Sequence, residues 1–231
     1  KYMVDMLKER GAGHIRVFGG TVPKTSNEDE AAGWVVKVLG EASQYAGSRG
    51  VILGLENHGG ITEKASRIVE IVKKVDSPWV AVNLDTGNFR TKVYEQISAL
   101  VPYAANVQVK ADVNEDGQKK ESDWDRVAGM LVKQGYKGYL AVEYEAAENV
   151  KTAMPKMLAS AIHSLLRRSI VRISVLLSSR MTANPAAKCS APMLPLAPSV
   201  TCTSITSVAL AGIPAGRSND TLTSNPEPGG T

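Results

Sequence analysis

Four short apolar runs each end in a side chain that can ligate a metal ion. They are Val51-Ile52-Leu53-Gly54-Leu55-Glu56, Trp79-Val80-Ala81-Val82-Asn83-Leu84-Asp85, Ala104-Ala105-Asn106-Val107-Gln108 and Tyr139-Leu140-Ala141-Val142-Glu143. The polar ends follow one another at intervals of 29, 23 and 35 residues. A buried strand that stops on a carboxylate or amide is costly unless something pairs with that group. Four such ends point to neighbouring strands delivering ligands to one place. Three carboxylates and an amide oxygen make a hard donor set, suited to Mn2+ or Mg2+ rather than to Cu(I) or a structural zinc. A dication there would polarise a carbonyl or hydroxyl. It would also ease loss of a proton from the adjacent carbon, which a carboxylate on either side could take and return.

Side chains alternate faces along a strand, and the polar groups keep to one parity. Gly54 and Glu56 share a face that His58 can continue. Asn83 pairs with Asp85, Asn106 with Gln108 and Lys110, and Glu143 with Glu145. Charge gathered near the C-terminal rim of a parallel barrel is where barrel enzymes keep their sites.

The elements that must position these residues alternate regularly. Residues 1–10 read as the end of a helix, followed by strand 14–18 and a helix from about 28 to 47. Strands 51–57, 79–85, 104–111 and 138–145 then alternate with helices near 62–75, 91–101, 122–134 and 150–166. The strands are apolar throughout, as parallel strands covered on both faces must be. Strand–helix alternation means α/β with a parallel sheet. Five units in residues 1–166 fit about five-eighths of a (β/α)8 TIM barrel, which needs roughly 250 residues for eight; an open doubly wound sheet is the alternative.

The remaining residues, 167–231, are rich in Ser, Thr, Ala, Pro and Leu. Only Ile170 to Leu177 forms a short apolar run. Ala191-Pro192-Met193-Leu194-Pro195-Leu196-Ala197-Pro198 suits neither a helix nor a central strand. This tail is expected to be disordered or the product of a shifted reading frame, with a partner-binding segment as the rival. Its composition also explains the net charge of +4: residues 1–166 hold 21 basic and 21 acidic residues, and the tail holds six and two. A neutral body gives no footprint for nucleic acid. Cys189 and Cys202 both lie in the tail, so the body has neither a disulfide nor a thiolate metal site. No apolar run approaches the roughly 18 residues of a membrane span. A cytoplasmic location is expected, with an export signal upstream of Lys1 as the alternative. Lys1 opens the chain without Met in a helical pattern, so preceding residues are expected.

Leu55-Glu56-Asn57-His58-Gly59-Gly60, Asn83-Leu84-Asp85-Thr86-Gly87-Asn88-Phe89, Val107-Gln108-Val109-Lys110 and Leu140-Ala141-Val142-Glu143-Tyr144-Glu145 together resemble the sugar phosphate isomerase/epimerase family. This belongs to the xylose-isomerase-like barrel superfamily, with hydroxypyruvate isomerases, ketose 3-epimerases, inosose dehydratases and endonuclease IV. Arg16-Val17-Phe18-Gly19-Gly20 resembles the family's fourth strand, and the likeness runs from about residue 1 to 165. It implies a truncated barrel lacking strands one to three, and a divalent ion held by Glu56, Asp85, Gln108 and Glu143. Many relatives carry His where Gln108 stands; hydroxypyruvate-isomerase-like members share Gln. Mn2+ or Mg2+ is the expected ion, with Co2+ or Zn2+ as alternatives. Glu56 and Glu143 inherit the acid/base roles, and His58, Asn88, Lys110 and Arg16 the substrate contacts.

Plainer readings stand beside these. Each carboxylate alone could cap a helix or pair with Lys, and Gln108 could bond a neighbouring loop. His58 could belong to a turn, Lys110 could reach solvent, and Arg16 could pair with an inward acid. Glu145 and Glu148 read as rim or helix-start carboxylates, and His14 and His163 as structural. The expected function is a metal-dependent isomerase or epimerase of a sugar, sugar phosphate or small hydroxy-ketone, working through an enediolate. The alternatives are an inosose-dehydratase-type lyase, an endonuclease IV-like phosphodiesterase and an inactive fragment. The phosphodiesterase fits poorly, because its clustered metals need several His and the body has His14, His58 and His163 alone. The expected partner is a small sugar-like substrate, with neither nucleic acid nor membrane; oligomeric state leaves no signature.

Overall fold

The structure, a computed structural model, describes residues 1–145, 148–166 and 173–175. Helices α1 (Tyr2–Glu9), α2 (Glu28–Ser48), α3 (Ala65–Val75), α4 (Val93–Leu100), α5 (Trp124–Lys133) and α6 (Val150–Leu166) intersperse strands β1 (His14–Phe18), β2 (Ile52–Glu56), β3 (Val80–Asp85), β4 (Ala104–Lys110), β5 (Asp112–Glu115), β6 (Gln118–Glu121), β7 (Tyr139–Glu143) and β8 (Ile173–Val175). The main sheet runs β1-β2-β3-β4-β7-β8, all neighbours parallel. Its first five strands curl into a half-barrel, part of a TIM barrel as the alternation predicted.

Local chemistry sets the helix starts. The Asn27 side chain accepts hydrogen bonds from the backbone N–H groups of Asp29 and Glu30, and Glu28, Asp29 and Glu30 place negative charge at the first turn of α2. Asp123 caps α5 in the same way, through the N–H of Arg126. The strands divide by parity. Leu53, Leu55, Val82, Leu84, Val107, Val109, Leu140 and Val142 are buried in one hydrophobic core with Ile68, Ile71, Ile97, Leu100, Val127 and Leu131 of the helices. The opposite parity carries the polar side chains. Register pairs Phe18 with Glu56, Glu56 with Asn83, Asn83 with Asn106, Asp85 with Gln108 and Lys110 with Glu143.

Two elements depart from the sequence reading. Between β4 and α5 the chain forms an antiparallel hairpin, β5–β6, on its own two-stranded sheet. Its turn is Asp116-Gly117, with φ of 52° and 83°. These left-handed angles define the tight turn that suits the twist of a hairpin. Only Val113 of the hairpin is buried, so the apolar alternation that marks a strand is nearly absent; the Asp-Gly pair was the available signal. Ser122 fastens the hairpin's base to β4, donating from its hydroxyl to the Lys110 carbonyl (2.6 Å) and from its N–H to that of Ala111 (2.9 Å). The second departure is β8. Ile173–Val175, within the stretch read as a tail, pairs with Leu140–Val142 at the edge of β7. A β-branched run beside an open strand edge satisfies backbone groups that would otherwise lack partners. The rest of the expected tail lies outside the described residues.

At the N-terminal end of the half-barrel, the Nε2 edge of the His14 imidazole packs close against Gly54. A Cβ at position 54 would collide with that ring and stand 3.1 Å from the Asn83 Cβ. His14 Nε2 is buried without a hydrogen-bond partner, and burial pushes the imidazole from 6.5 down to about 4. Between those values the unfolded chain binds a proton that the folded chain does not, so this residue costs stability as pH falls from 6.5 to about 4. Urea unfolding across that window should show His14→Gln losing less stability than the wild type. Parallel curves for the two proteins would remove His14 as a cause of acid sensitivity.

Candidate active site at the carboxyl ends of the strands

Glu56 ends β2 with its carboxylate fully buried, and four side chains meet it. Arg16 of β1 approaches Oε2 through Nε at 3.2 Å, and His58 Nδ1 lies 2.8 Å from Oε1. Asn83 donates to Oε2 at 3.0 Å and Asn88 to Oε1 at 3.3 Å. Phe18, on the same face of β1 as Arg16, lies under the Arg16 guanidinium (5.0 Å) and beside the His58 ring (4.6 Å between centroids). Arg16 thus pairs with an inward acid and still leaves 40% of its side chain exposed, and His58 leaves 55%. Both remain open to a small molecule at the rim.

Asp85, Gln108, Lys110 and Glu143 form a second group. The backbone of Asp85 is clamped by the amide of Asn57, which donates to its carbonyl and accepts from its N–H, each at 2.8 Å. Its Oδ1 accepts from the Gly87 N–H at 2.8 Å. Its Oδ2 is buried and has no hydrogen bond. The Lys110 ammonium is 3.4 Å away, an ion pair without hydrogen-bond alignment. Burial pushes Asp85 up to about 7; Lys110 opposes this and Glu56 adds to it. Lys110 also reaches Glu143 Oε2 at 3.2 Å and Glu145 Oε2 at 2.6 Å, with 11% of its side chain exposed. It therefore folds back over the rim instead of extending into solvent. Burial works against its charge, but Asp85, Glu145 and Glu143 outweigh burial and raise its pKa. Glu148 bonds Thr152 and Lys156 at the start of α6, as a helix-start carboxylate should.

Amides join the two groups. Asn83 Nδ2 donates to both Glu56 Oε2 and Gln108 Oε1, and Gln108 Nε2 donates to Glu143 Oε2. Asn106 Nδ2 holds Asn83 by donating to its Oδ1 at 2.8 Å. The link from Glu56 to Glu143 therefore consists of two side-chain amides, each bonded at both ends. Asn83 is the residue that sequence reasoning passed over. Its parity put it on the right face, but nothing in the sequence showed it reaching both neighbours.

All eight candidate residues, Arg16, Glu56, His58, Asp85, Asn88, Gln108, Lys110 and Glu143, lie along this one rim. Among the described residues, no three His, Cys, Asp or Glu side chains gather closely enough to hold an ion in the present arrangement. Asp85 and Glu143 close on the Lys110 ammonium instead. The donor chemistry nevertheless fits a hard dication. It offers three carboxyl groups and an amide carbonyl, and Asp85 Oδ2 is a buried carboxyl oxygen still lacking a hydrogen bond. Among the described residues no helix is long and apolar enough to cross a membrane.

A family model described as xylose isomerase-like TIM barrel matches residues 1–167. No curated protein matches. Among solved structures the chain is similar to a xylose isomerase domain protein from Planctomyces limnophilus, with 17% identity and a TM-score of 0.56 over 71% of this chain and 63% of that one. It is similar to a xylose isomerase-like TIM barrel protein from Mycobacterium smegmatis solved in complex with magnesium, with 16% identity and a TM-score of 0.54 over 71% and 65%. A D-tagatose 3-epimerase-like protein gives 18% identity and a TM-score of 0.58 over 71% and 67%. At these identities the likeness is one of fold. The chain spans less than two thirds of the length of the first two.

Replacing Asn83 with Ala should leave Glu56 Oε2 and Gln108 Oε1 short of a donor and destabilise the fold by roughly 2–3 kcal/mol. A double-mutant cycle with Gln108→Ala, read by urea unfolding, should give a coupling of at least about 0.5 kcal/mol. Additive effects would show that the two amides do not act as one link.

Proposed function

We propose, from the premise that this chain belongs to the xylose isomerase-like TIM barrel family, that it is a sugar isomerase or epimerase that works with a divalent metal ion. The observation that carries this reading is the pair of buried carboxylates, Glu56 and Glu143, tied to one rim through Asn83 and Gln108. Interconverting a hydroxy-ketone with its isomer or epimer needs a proton removed from the carbon beside a carbonyl and a proton returned. Two fixed carboxylates near one substrate can divide that work. Fold likeness to a D-tagatose 3-epimerase-like protein supports a ketose as the substrate class.

Glu56, Asp85, Gln108 through Oε1, and Glu143 would hold the ion. When bound, it supplies charge that stabilises the oxyanion developing on the substrate. The magnesium in the Mycobacterium smegmatis relative supports a divalent ion in general. The chain's own residues have separate tasks. Glu56 and Glu143 take and return the proton. Arg16, His58 and Asn88 surround Glu56 and bond substrate hydroxyls at the exposed side of the rim. Lys110 answers a carboxylate or phosphate as a point charge. A dehydratase would use the same groups and differ by expelling a hydroxyl, so product identity separates the two.

Glu56→Gln and Glu143→Gln should each lower turnover by at least about a hundredfold while leaving the circular dichroism spectrum unchanged. The assay is deuterium uptake from D2O into ketoses and small hydroxy-ketones, followed by NMR. Uptake at the wild-type rate in either variant would remove that residue from the proton transfer.

A further inference from the structure

Lys110 is the only cation within salt-bridge distance of Asp85 or Glu143 among the described ion pairs. Its ammonium makes 3.4 and 3.2 Å contacts to Oδ2 of Asp85 and Oε2 of Glu143, two oxygens offered above as ligands. One carboxylate oxygen facing inward cannot serve an ammonium and a dication equally, because the two cations repel at close range. Lys110 also lines a cavity of about 140 Å3, together with Gly87, Asn88, Ala111, Asp112 and Lys119. The side chain therefore has somewhere to go. Glu145, its 2.6 Å partner, lines the same cavity and can keep hold of it there.

Resting on the metal-dependent reading above, we propose that Lys110 is a built-in competitor of the metal ion. Its ammonium holds Asp85 and Glu143 together, and ion binding at those carboxylates drives it across to the Glu145 side, into the cavity. Metal uptake then presents a positive charge to whatever enters that cavity, so the ion and an anionic substrate group bind in concert. Lys110 becomes a gatekeeper of ligand affinity as well as a substrate contact.

Titration calorimetry with Mn2+ tests this on the full chain. Lys110→Met should bind Mn2+ at least about tenfold more tightly than the wild type. Lys110→Arg, which keeps a cation there, should bind no more tightly than the wild type. Lys119→Met removes a charge from the same cavity without touching Asp85 or Glu143, and should stay within about twofold. Equal or weaker binding by Lys110→Met overturns the proposal, as does an equal gain in Lys119→Met. Should Lys110→Met not fold, the wild type decides by lysine acetylation read in a mass spectrometer. Mn2+ should speed modification of Lys110 and leave Lys119 unchanged; an unchanged Lys110 rate overturns the proposal. Absence of Mn2+ binding in the wild type and in Lys110→Met alike overturns the metal-dependent reading itself, and the proposal with it.

Discussion

Three carboxylates, Glu56, Asp85 and Glu143, sit out of solvent at the ends of parallel strands, and the surrounding structure is organised by the cost of keeping them there. An isolated buried charge is unfavourable by several kcal/mol unless it is paired and hydrogen-bonded. Each carboxylate meets this demand differently. Glu56 has Arg16, His58 and two asparagine amides. Glu143 has an amide and an ammonium. Asp85 has a backbone N–H on one oxygen and a misaligned ion pair on the other. It is Asp85 whose pKa burial lifts to about 7. The least satisfied acid of the three has its backbone held at both N–H and carbonyl by the Asn57 amide. Its Oδ2 lies out of solvent, so a further partner for it must be brought to the strand end.

Much of this was legible in the chain. Alternation of strands and helices gave the half-barrel, since apolar runs of five to seven residues between amphipathic stretches have few other ways to bury themselves. Parity gave the inward face, because a strand has only two. The four ligand candidates stood out in the sequence as polar residues at or near the ends of mostly apolar strands, all on the inward parity. What lay beyond reach was anything set by side-chain reach rather than side-chain direction. Asn83 bridges two strands by the orientation of one amide. Lys110 doubles back where an extended lysine was equally consistent with its position. The β5–β6 hairpin escaped notice because its strands are mostly charged and pack little into the core; its one mark in the sequence is the Asp116-Gly117 turn, where both φ are positive.

The division of the strands into two faces also explains how the fold can be shared at under 20% identity. The helices and the outward strand faces need only be apolar and of suitable volume. The inward face is more exacting, because each polar group there must find a partner of complementary kind. Gly54 shows the constraint at its smallest: a single methyl would meet His14. Divergence therefore has room in the outer layer and at the hairpin, which hangs from β4 by Ser122 and hardly enters the core.

The two amides between Glu56 and Glu143 have a further property. An amide donates from nitrogen and accepts at oxygen, and it does not exchange those roles as a hydroxyl or imidazole can. Asn83 and Gln108 therefore form a strut that fixes the separation of the two carboxylates while insulating them from each other. No proton passes along it. If the two acids share a reaction, the substrate is the conductor between them, and each turnover must reset their protonation through the molecule being transformed or through solvent at the rim.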